Sequence, residues 1–312
     1  MPVVQGHPDG MTMRPLAVIG NVNVDLIMGP VGSWPQQGTE VIVDHDELRV
    51  GGAAGNTALA WMGLGVPFTI ASSVGDDAFG RWLAEGFRPK SARWTVNASS
   101  TTVSVGIIHP GDERTFFTTR GHLADFTLDE AMAQVGDLRG AIVLLCGSFL
   151  TDALTGDYPA VFDWAASSGA SLALDPGWPP SGWTAGQLVR AQAWLAHTDH
   201  LLVNEVEALA LSGAPTVETA LAELASMMPS NAHVVVKSGP RGAFGLHGQT
   251  VAVAPAPVVT VIDTIGAGDI FNAGYLLAMA EGAPFDRALW AGVALASRAI
   301  STTPRAYSRD GV

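Results

Sequence analysis

The stretch Asp263-Thr-Ile-Gly-Ala-Gly-Asp-Ile-Phe-Asn-Ala-Gly274 combines two carboxylates with a run of small residues and leads into an apolar, helix-compatible segment that ends near Glu281. Gly266, Ala267 and Gly268 have little or no side chain, so their backbone N–H groups can approach a ligand at a helix N-terminus, where the helix dipole attracts anions. The stretch therefore predicts a phosphate site, with Asp269 beside it as an ionised proton acceptor.

The same residues also have a purely structural explanation. A glycine-rich loop that leads into a helix needs a capping residue and gains from an acid in the first turn, and two aspartates can supply both. Motifs elsewhere in the chain are needed to distinguish a purely structural loop from a phosphate site.

The composition restricts the class of protein and its partners. The chain has 312 residues, 48% of them hydrophobic, which suits one large domain with an appendage or two modest domains. Only 14% are charged and the net charge is -13, which argues against nucleic acid or an anionic membrane as a partner, because both require a basic surface. The only lysines are Lys90 and Lys237, so a phosphate-binding loop of the Gly-Lys type is excluded.

The single cysteine, Cys146, ends the apolar segment Ala141–Cys146, so we expect a buried thiol and neither a disulfide framework nor a multi-cysteine zinc site. The first 13 residues lack a signal-peptide pattern, and no uncharged apolar run reaches membrane-spanning length. We expect a soluble cytoplasmic protein without membrane contact.

Strand and helix patterns alternate regularly from Ala141 onward, which is typical of βαβ units and a parallel sheet. Ligands bind such sheets at the carboxyl ends of the strands. Asp175 ends one predicted strand and Asn204 ends the next, although Asn204 also suits the N-cap of the following helix. Val234–Lys237 is a further buried strand that enters a glycine turn.

Polar side chains also gather near the N-terminus. Within Leu16–Met28, which begins as a buried strand, Asn21, Asn23 and Asp25 share one face. They could form the exposed half of a strand, but strands are poor in Asn and Asp unless something specific binds there. Further along, Gly51–Asn56 forms a glycine-rich turn that opens a predicted helix, where an Asn amide can reach a polyol.

Two polar β segments interrupt the strand–helix pattern, namely residues 39–50 and a predicted hairpin over residues 101–119. We assign them to a small separate sheet. The predicted organisation is a disordered N-terminal tail (1–13), an α/β core (14–38, 51–100 and 122–305), a β lid (39–50 and 101–121) and a C-terminal tail (306–312).

In order and over roughly residues 16–305, four of these motifs resemble the ribokinase-like (PfkB) carbohydrate kinase family. Asp263–Gly274 is similar to its C-terminal signature, Gly51–Asn56 to its N-terminal signature, Asn204–Glu207 to its Asn-x-x-Glu motif, and the turn Gly239–Gly242 to its Gly-x-x-Gly stretch. Four motifs in the right order coincide by chance far less often than any one of them.

The resemblance implies an α/β fold with a doubly wound, mainly parallel sheet flanked by helices, and a small β-sheet lid that covers the sugar and often mediates dimerisation. It also implies site residues by position. Asp269 matches the catalytic base, and Gly266, Ala267 and Gly268 match the anion hole. The implied sugar contacts are Asn23, Asp25, Gly51, Gly52, Asn56 and Asp269. The implied nucleotide-side residues are Asn204, Glu207, Lys237, Gly239, Gly242 and Asn272, with Glu207 acting on Mg²⁺ through water.

Asp263 lies six residues before the proposed base and is too far along the loop to share its role. It could bind potassium together with the carbonyl of Ile265 and carbonyls near Ser301–Thr303, because carbonyl oxygens replace the hydration shell of that ion at low cost. Alternatively it caps the turn through its own backbone, and the loop then needs no ion.

By this resemblance, we expect an ATP- and Mg²⁺-dependent kinase that phosphorylates a primary hydroxyl of a ribose- or fructose-like sugar and forms a homodimer through the lid. Ribose is not secured, because the Gly147–Phe149 region lacks the glutamate of ribose-specific members and Ala53 stands where they have lysine. A nucleoside kinase remains an alternative. A dinucleotide-dependent oxidoreductase lacks its Gly-x-Gly-x-x-Gly turn, and an intact Asp269 loop disfavours a non-catalytic sugar sensor.

Overall fold

The computed structural model describes residues 13–87, 93–111 and 113–308. Most of the predicted N-terminal tail therefore lies outside the described residues. The strands, in chain order, are β1 (Leu16–Gly20), β2 (Asn23–Gly29), β3 (His45–Gly51), β4 (Thr69–Ala71), β5 (Ser73–Gly75), β6 (Thr95–Asn97), β7 (Val103–Ile108), β8 (Arg114–Thr118), β9 (Ile142–Cys146), β10 (Ser171–Asp175), β11 (His200–Asn204), β12 (His233–Lys237), β13 (Ala243–His247) and β14 (Thr250–Ala254). The helices are α1 (Ala53–Gly63), α2 (Ala78–Gly86), α3 (Leu128–Val135), α4 (Asp152–Gly156), α5 (Tyr158–Ser167), α6 (Ala185–Leu195), α7 (Glu205–Ser212), α8 (Val217–Ser226), α9 (Ala267–Ala280) and α10 (Phe285–Ile300).

The main sheet has eight strands in the order β14-β13-β12-β11-β10-β9-β1-β4. The six strands from β12 to β4 run parallel, while β13 and β14 pair antiparallel at one edge. After β1 the chain first builds β4 on one side and later returns to place β9 on the other. The order therefore reverses between β1 and β9, and open sheets of this kind bind ligands at such a crevice.

Side chains alternate across the main sheet because successive residues of a strand point to opposite faces. Leu16 and Val18 of β1 join a core formed with α1, α9 and α10. Ala17 and Ile19 of the same strand join a second core formed with α3, α5, α6 and α8. Helices therefore cover both faces, which confirms the predicted doubly wound, mainly parallel α/β fold.

The smaller sheet has four strands in the order β3-β2-β7-β8. It contains the two predicted lid segments, although the first is a strand only over His45–Gly51. It also contains β2, which the sequence pattern assigned to the core as a continuation of β1. The chain leaves the main sheet after Gly20 and re-pairs from Asn23 onward with β3 and β7. Alternating apolar residues predict a strand but do not reveal a change of pairing partner.

A local capping rule explains the start of α2. Asp77 caps this helix by accepting a hydrogen bond from the amide of Gly80 at 2.8 Å. At the other end of the chain, Tyr307, in the predicted C-terminal tail, packs against the core beside Gly63 of α1. Among the described residues, no helix is long and apolar enough to cross a membrane.

Helix α9 is the most buried helix in the fold, and small residues let α10 approach it closely. A Cβ at Gly274 would lie only 2.7 Å from the backbone carbonyl oxygen of Ala291 in α10. Similarly, a Cβ at Gly292 would lie 2.7 Å from the ring of Phe271. At Gly274 the neighbouring atoms belong to the backbone of α10, which cannot move aside as a flexible side chain would.

Replacing Gly274 by alanine should therefore lower the free energy of unfolding by about 1–3 kcal/mol, because the added methyl group has to separate α9 from α10. Gly186→Ala is the matched control, since Gly186 lies in the exposed first turn of α6 and a Cβ there would meet nothing within 4 Å. The control should leave stability unchanged or raise it by up to ~1 kcal/mol. Urea denaturation measures both, and equal effects at the two sites would contradict the close approach.

Candidate active site

A cavity of about 710 Å³ lies at the carboxyl ends of the parallel strands. Its wall includes residues that directly follow or end five strands, namely Asn21, Gly147, Asp175, Asn204 and Lys237. Asn21 and Gly147 follow the two strands where the order reverses. A Cβ on Gly147 would lie 1.9 Å from Oδ1 of Asn21, so only glycine fits there. The cavity is thus at the crevice where a ligand is expected in this type of sheet.

The N-terminus of α9 points into this cavity. Gly266 caps the helix in the left-handed conformation (φ 74°), and Ala267, Gly268 and Asp269 of the first turn line the cavity wall. The first amides of a helix lack partners within the helix and attract anions. The Ala267 amide, however, donates to the carbonyl oxygen of Thr264 at 3.1 Å, so it closes the turn in this conformation.

Helix α1 carries the predicted sugar residue Asn56 directly to Asp269. The side-chain amide of Asn56 donates to Oδ2 of Asp269 at 2.8 Å, and the hydroxyl of Thr57 donates to the Asp269 carbonyl oxygen at 3.1 Å. One turn further on, the indole N–H of Trp61 donates to the carbonyl oxygen of Ala273 at 2.9 Å. A Cβ on Gly266 would lie 2.7 Å from the Asn56 amide nitrogen, so this glycine makes room for the contact.

Asp269 is poised to exchange a proton. Burial raises its pKa to about 6, the nearby charge of Asp175 raises it as well, and the hydrogen bond from Asn56 opposes both effects. A carboxylate with this pKa is ionised at neutral pH and is a stronger base than an exposed aspartate.

The remaining predicted sugar residues form one hydrogen-bonded group on β2. Asn23 donates to Oδ1 of Asp25 at 2.7 Å, and the amide of Asn21 contacts Oδ1 of Asn23 at 3.3 Å. All three side chains are buried, so they are not the exposed half of a strand. Burial raises the pKa of Asp25 to about 6, against the opposing charge of Arg49.

Gly51 and Gly52 pack tightly against this group. A Cβ on Gly51 would fall within 2.3 Å of the Asp25 carboxylate atoms, and one on Gly52 would lie 2.4 Å from the Asn21 carbonyl oxygen. Gly52 also has a φ of 85°, which side-chain-bearing residues rarely adopt. The glycine pair is therefore required by the packing of the buried polar group.

Asn204 and Glu207 form a reciprocal cap at the start of α7. Oδ1 of Asn204 accepts from the Glu207 amide, and Oε2 of Glu207 accepts from the Asn204 amide, both at 2.9 Å. The N-cap explanation of Asn204 is thus correct, and both residues also line the cavity. Burial raises the pKa of Glu207 to about 7, and the charge of Asp175 adds to the effect.

Lys237 forms a buried triangle with Asp175 and Asn272. Its ammonium group lies 2.7 Å from Oδ2 of Asp175 and donates to Oδ1 of Asn272 at 3.1 Å, while the Asn272 amide donates to the same Asp175 oxygen at 2.6 Å. Burial alone would lower the pKa of Lys237, but the charges of Asp175 and Glu207 raise it above its ordinary value.

Asn272 holds the other two members of this triangle in place. Its side chain is fully buried, and both ends of its amide bond to Asp175 and Lys237. Asp175 was not among the predicted site residues. Its position at the carboxyl end of a parallel strand was the signal that could have identified it.

The predicted glycine turn after β12 also borders the cavity. Residues Gly239–Arg241 form one turn of 3₁₀ helix, and both Gly239 and Gly242 line the cavity wall. Gly242 has a φ of 89°, and a Cβ there would lie 2.0 Å from the carbonyl oxygen of Ala254. At its two glycines this turn brings bare backbone to the cavity, and Pro240 lines the cavity beside them.

Asp263 and Ile265 do not form an open cation site. Nη2 of Arg305 lies 2.5 Å from Oδ2 of Asp263 and donates to the Ile265 carbonyl oxygen at 2.6 Å. Arg49 and Arg114 also reach the Asp263 carboxylate, at 2.6 and 3.4 Å. The Ile265 amide donates to Oδ1 of Asp263 at 2.9 Å, which is the backbone cap considered as the alternative. The residues present therefore do not fit the predicted potassium ion.

No group of three or more His, Cys, Asp or Glu side chains within the described ranges is arranged to hold a metal ion directly. Asp175, Glu207 and Asp269 nevertheless line the same cavity, with Lys237 among them. Three carboxylates against one ammonium group suit a Mg²⁺ ion that keeps much of its water shell and enters with phosphate oxygens.

Comparison with known proteins agrees with this geometry. A model of the "pfkB family carbohydrate kinase" matches residues 13–308. The ribokinase of Bacillus subtilis is 25% identical over 303 residues, covering 96% of each chain. The fructokinase of Rhizobium leguminosarum bv. trifolii is 27% identical over 236 residues, or 73% of this chain and 71% of that protein.

Among solved structures, Arabidopsis thaliana ribokinase complexed with ribose and ATP superposes with a TM-score of 0.77 at 24% identity, covering 96% of this chain and 97% of that one. This similarity confirms the ribokinase-like fold. With the family match over nearly the whole described chain, it shows that the protein belongs to the pfkB family of carbohydrate kinases, which are phosphotransferases acting on hydroxyl groups.

Proposed function

We propose that the protein is an ATP-dependent kinase that transfers the γ-phosphoryl group to a primary hydroxyl of a ribose- or fructose-like monosaccharide. The observation that carries the proposal is the 2.8 Å hydrogen bond between Asn56 and Asp269. It joins the polar group near the N-terminus, which is suited to sugar hydroxyls, to the carboxylate at the N-terminus of α9, which is suited to proton transfer beside a phosphate.

Asp269 acts as the general base in this proposal. A sugar hydroxyl that takes the place of, or joins, the Asn56 amide at the Asp269 carboxylate lies within reach for proton abstraction as its oxygen attacks phosphorus. The amides of the first α9 turn, around Gly268, then face the charge on the transferring group, where the helix dipole adds to their effect. Positioning and electrostatic stabilisation provide most of the catalysis in such a transfer.

The nucleotide side of the cavity has the groups that ATP requires. Lys237 lies close to Gly268, since a Cβ on Gly268 would be 3.4 Å from its ammonium nitrogen, and this places a fixed positive charge next to the phosphate-binding turn. Bound Mg²⁺ would neutralise phosphate charge, with Glu207 and Asp175 holding its water ligands. The apolar wall formed by Val258, Val261 and Ile300 suits a nucleobase.

The sugar side includes a donor that the sequence motifs did not identify. Arg49 pairs directly opposite Asp25 in the smaller sheet. Within the part of the chain that the structure describes, its Nη2 atom is buried without a hydrogen-bond partner, so a ligand oxygen can satisfy it. Such a group can donate a hydrogen bond to a sugar hydroxyl and could also bind the carboxylate of a sugar acid.

The proposal is tested first with a substrate panel and then with a variant of the base. ADP release with ribose, fructose, a sugar acid and adenosine should identify one preferred acceptor, and adenosine as the best would favour the nucleoside kinase alternative. With that acceptor, Asp269→Asn should lower kcat by about 10²–10⁴-fold, because the amide keeps the size of the side chain but cannot accept the proton. Wild-type turnover in the folded variant would exclude Asp269 as the base.

The pH dependence gives a second readout for the same residue. Because Asp269 must be ionised to act as a base, wild-type kcat/KM should fall about tenfold per pH unit below pH ~6, the value to which its pKa is raised. Because the pKa of Asp269 is higher in the folded state than in the unfolded state, ionising this group disfavours folding. Its contribution to the free energy of unfolding therefore falls as pH rises from ~4 to ~6. Asp269→Asn should therefore be more stable than wild type at pH 7–8, and this gain should vanish near pH 4.

A second prediction separates the two halves of the site. Asp25→Ala and Asn56→Ala should weaken sugar binding by ~1–3 kcal/mol and change ATP binding much less, because both side chains lie in the N-terminal half of the chain beside the lid strands. Gly242→Ala is the matched comparison on the nucleotide side and should weaken ATP binding more than sugar binding. Calorimetry measures both affinities, and equal losses of sugar and ATP affinity in the first two variants would contradict this division.

We also propose a homodimer that forms through the lid sheet. Leu48 and Phe117 share one face of that sheet and are 42% and 52% exposed, and Trp34 packs beside Phe117 with ring centroids 5.8 Å apart. Neighbouring exposed apolar side chains of this size are typical of an interface. A second copy of the same sheet is the occupant that this proposal names.

Phe117→Asp should accordingly convert the protein to a monomer, because it places a charge within the apolar patch. Val189→Asp is the control, since Val189 is a 68% exposed apolar residue on α6, away from this sheet. Light scattering coupled to size-exclusion chromatography gives the mass of each. A monomeric wild-type protein, or a dimer that survives Phe117→Asp, would contradict the lid interface.

A further inference from the structure

Arg305 occupies the position that a cation would need at the loop before α9. One nitrogen, Nη2, contacts both the Asp263 carboxylate and the Ile265 carbonyl oxygen, at 2.5 and 2.6 Å. These are the two groups that the sequence pattern suggested as ligands of potassium. The Arg305 side chain is only 18% exposed, so the contact is protected from solvent.

We propose that Arg305 is a built-in counter-cation of this loop and takes the place of a potassium ion, so that phosphoryl transfer by this protein does not depend on monovalent cations. The inference rests on the proposed kinase function and adds to it a positioning residue. Arg305 does not touch the reacting atoms; it acts through the loop that carries Gly266, Gly268 and Asp269.

Local charge supports the replacement. Asp263 is contacted by the guanidinium groups of Arg49, Arg114 and Arg305, and Glu47 lies 3.6 Å from Arg49. Asp25, directly opposite Arg49 in the smaller sheet, is a third carboxylate beside this cluster. Three guanidinium groups thus balance three carboxylates, and a bound potassium ion would add charge to a cluster that is already neutral. A guanidinium group also provides directed N–H donors, which fix the carboxylate and the carbonyl in a way that a spherical ion does not.

The position of the contact explains how Arg305 can affect phosphoryl transfer without touching the reacting atoms. Ile265 directly precedes Gly266, the N-cap of α9, so holding the Ile265 carbonyl oxygen outward sets the peptide plane from which the helix starts. The Ile265 amide is bound in turn to Oδ1 of Asp263 at 2.9 Å. Both polar groups of Ile265 are therefore fixed, and with them the direction of the first amides of the helix.

The test compares turnover in potassium, sodium and tetramethylammonium chloride at equal ionic strength. Wild-type turnover should be the same in all three salts. Arg305→Ala should lower kcat by about tenfold or more, with a smaller change in the KM for sugar, because the amides around Gly268 lose their alignment. Guanidinium chloride at about 20 mM, far below denaturing concentrations, should restore part of that kcat. Arg305→Lys, which keeps a cation in place, should retain more turnover than the alanine variant.

Arg139→Ala is the matched control, since it removes an arginine from an exposed pair with Asp137 and should respond to none of these ions. Several-fold activation of the wild type by potassium would overturn the proposal. A wild-type kcat in Arg305→Ala would also overturn it. The same holds if guanidinium chloride does not restore the kcat of Arg305→Ala and Arg305→Lys retains no more turnover than the alanine variant.

Thermal unfolding of the wild type separates this inference from the kinase proposal. Equal melting temperatures in the three salts are expected, whereas a rise specific to potassium would reveal an ion site and overturn the inference, even if no sugar on the panel were phosphorylated. Absence of turnover with every acceptor would instead count against the proposed function.

Discussion

The site depends on how closely α1 can approach α9. Helix α9 begins with small residues, and a Cβ on its N-cap Gly266 would lie 2.7 Å from the Asn56 amide nitrogen of α1, so the start of α9 has room for α1. At this distance three hydrogen bonds from α1 reach α9, and the first places Asn56 on Asp269. Two motifs more than 200 residues apart in the chain become one site through that contact.

This arrangement carries an electrostatic cost, because it buries several carboxylates close together. Asp175, Glu207 and Asp269 share the carboxyl edge of the sheet with a single ammonium group, and burial raises the pKa of both Glu207 and Asp269. Replacing such groups by neutral ones usually stabilises a fold, so their presence indicates a function that needs charge. A magnesium ion at this edge would offset the excess negative charge of the carboxylates.

Sequence patterns predicted the main elements well where one local rule determined the outcome. Strands β9 and β12, the ends of β10 and β11, and the end of α9 lie within a residue or two of their predicted bounds. The prediction was wrong where strand pairing over a distance decided the outcome, because β2 pairs with β3 and β7 in the smaller sheet and not with the main sheet. The position of Asp175 at a strand end indicated a ligand edge, but its partner Lys237 lies 62 residues away in the chain, so no local pattern predicts their contact.

The sequence by itself determined the class of fold, the glycine turn that leads into α9 with Asp269, and the family to which its ordered motifs belong, because glycine turns, helix starts and strand periodicity are local properties of the chain. Only the tertiary structure decided what surrounds those motifs. Arg49, Arg114 and Arg305 are separated by 65 and 191 residues, and their convergence on Asp263 follows from the packing of the lid and the chain end against one loop. The partner of the Asp263 carboxylate, an ion or an arginine, depends on the space and charge around it in the folded protein, and a local sequence pattern does not contain that information.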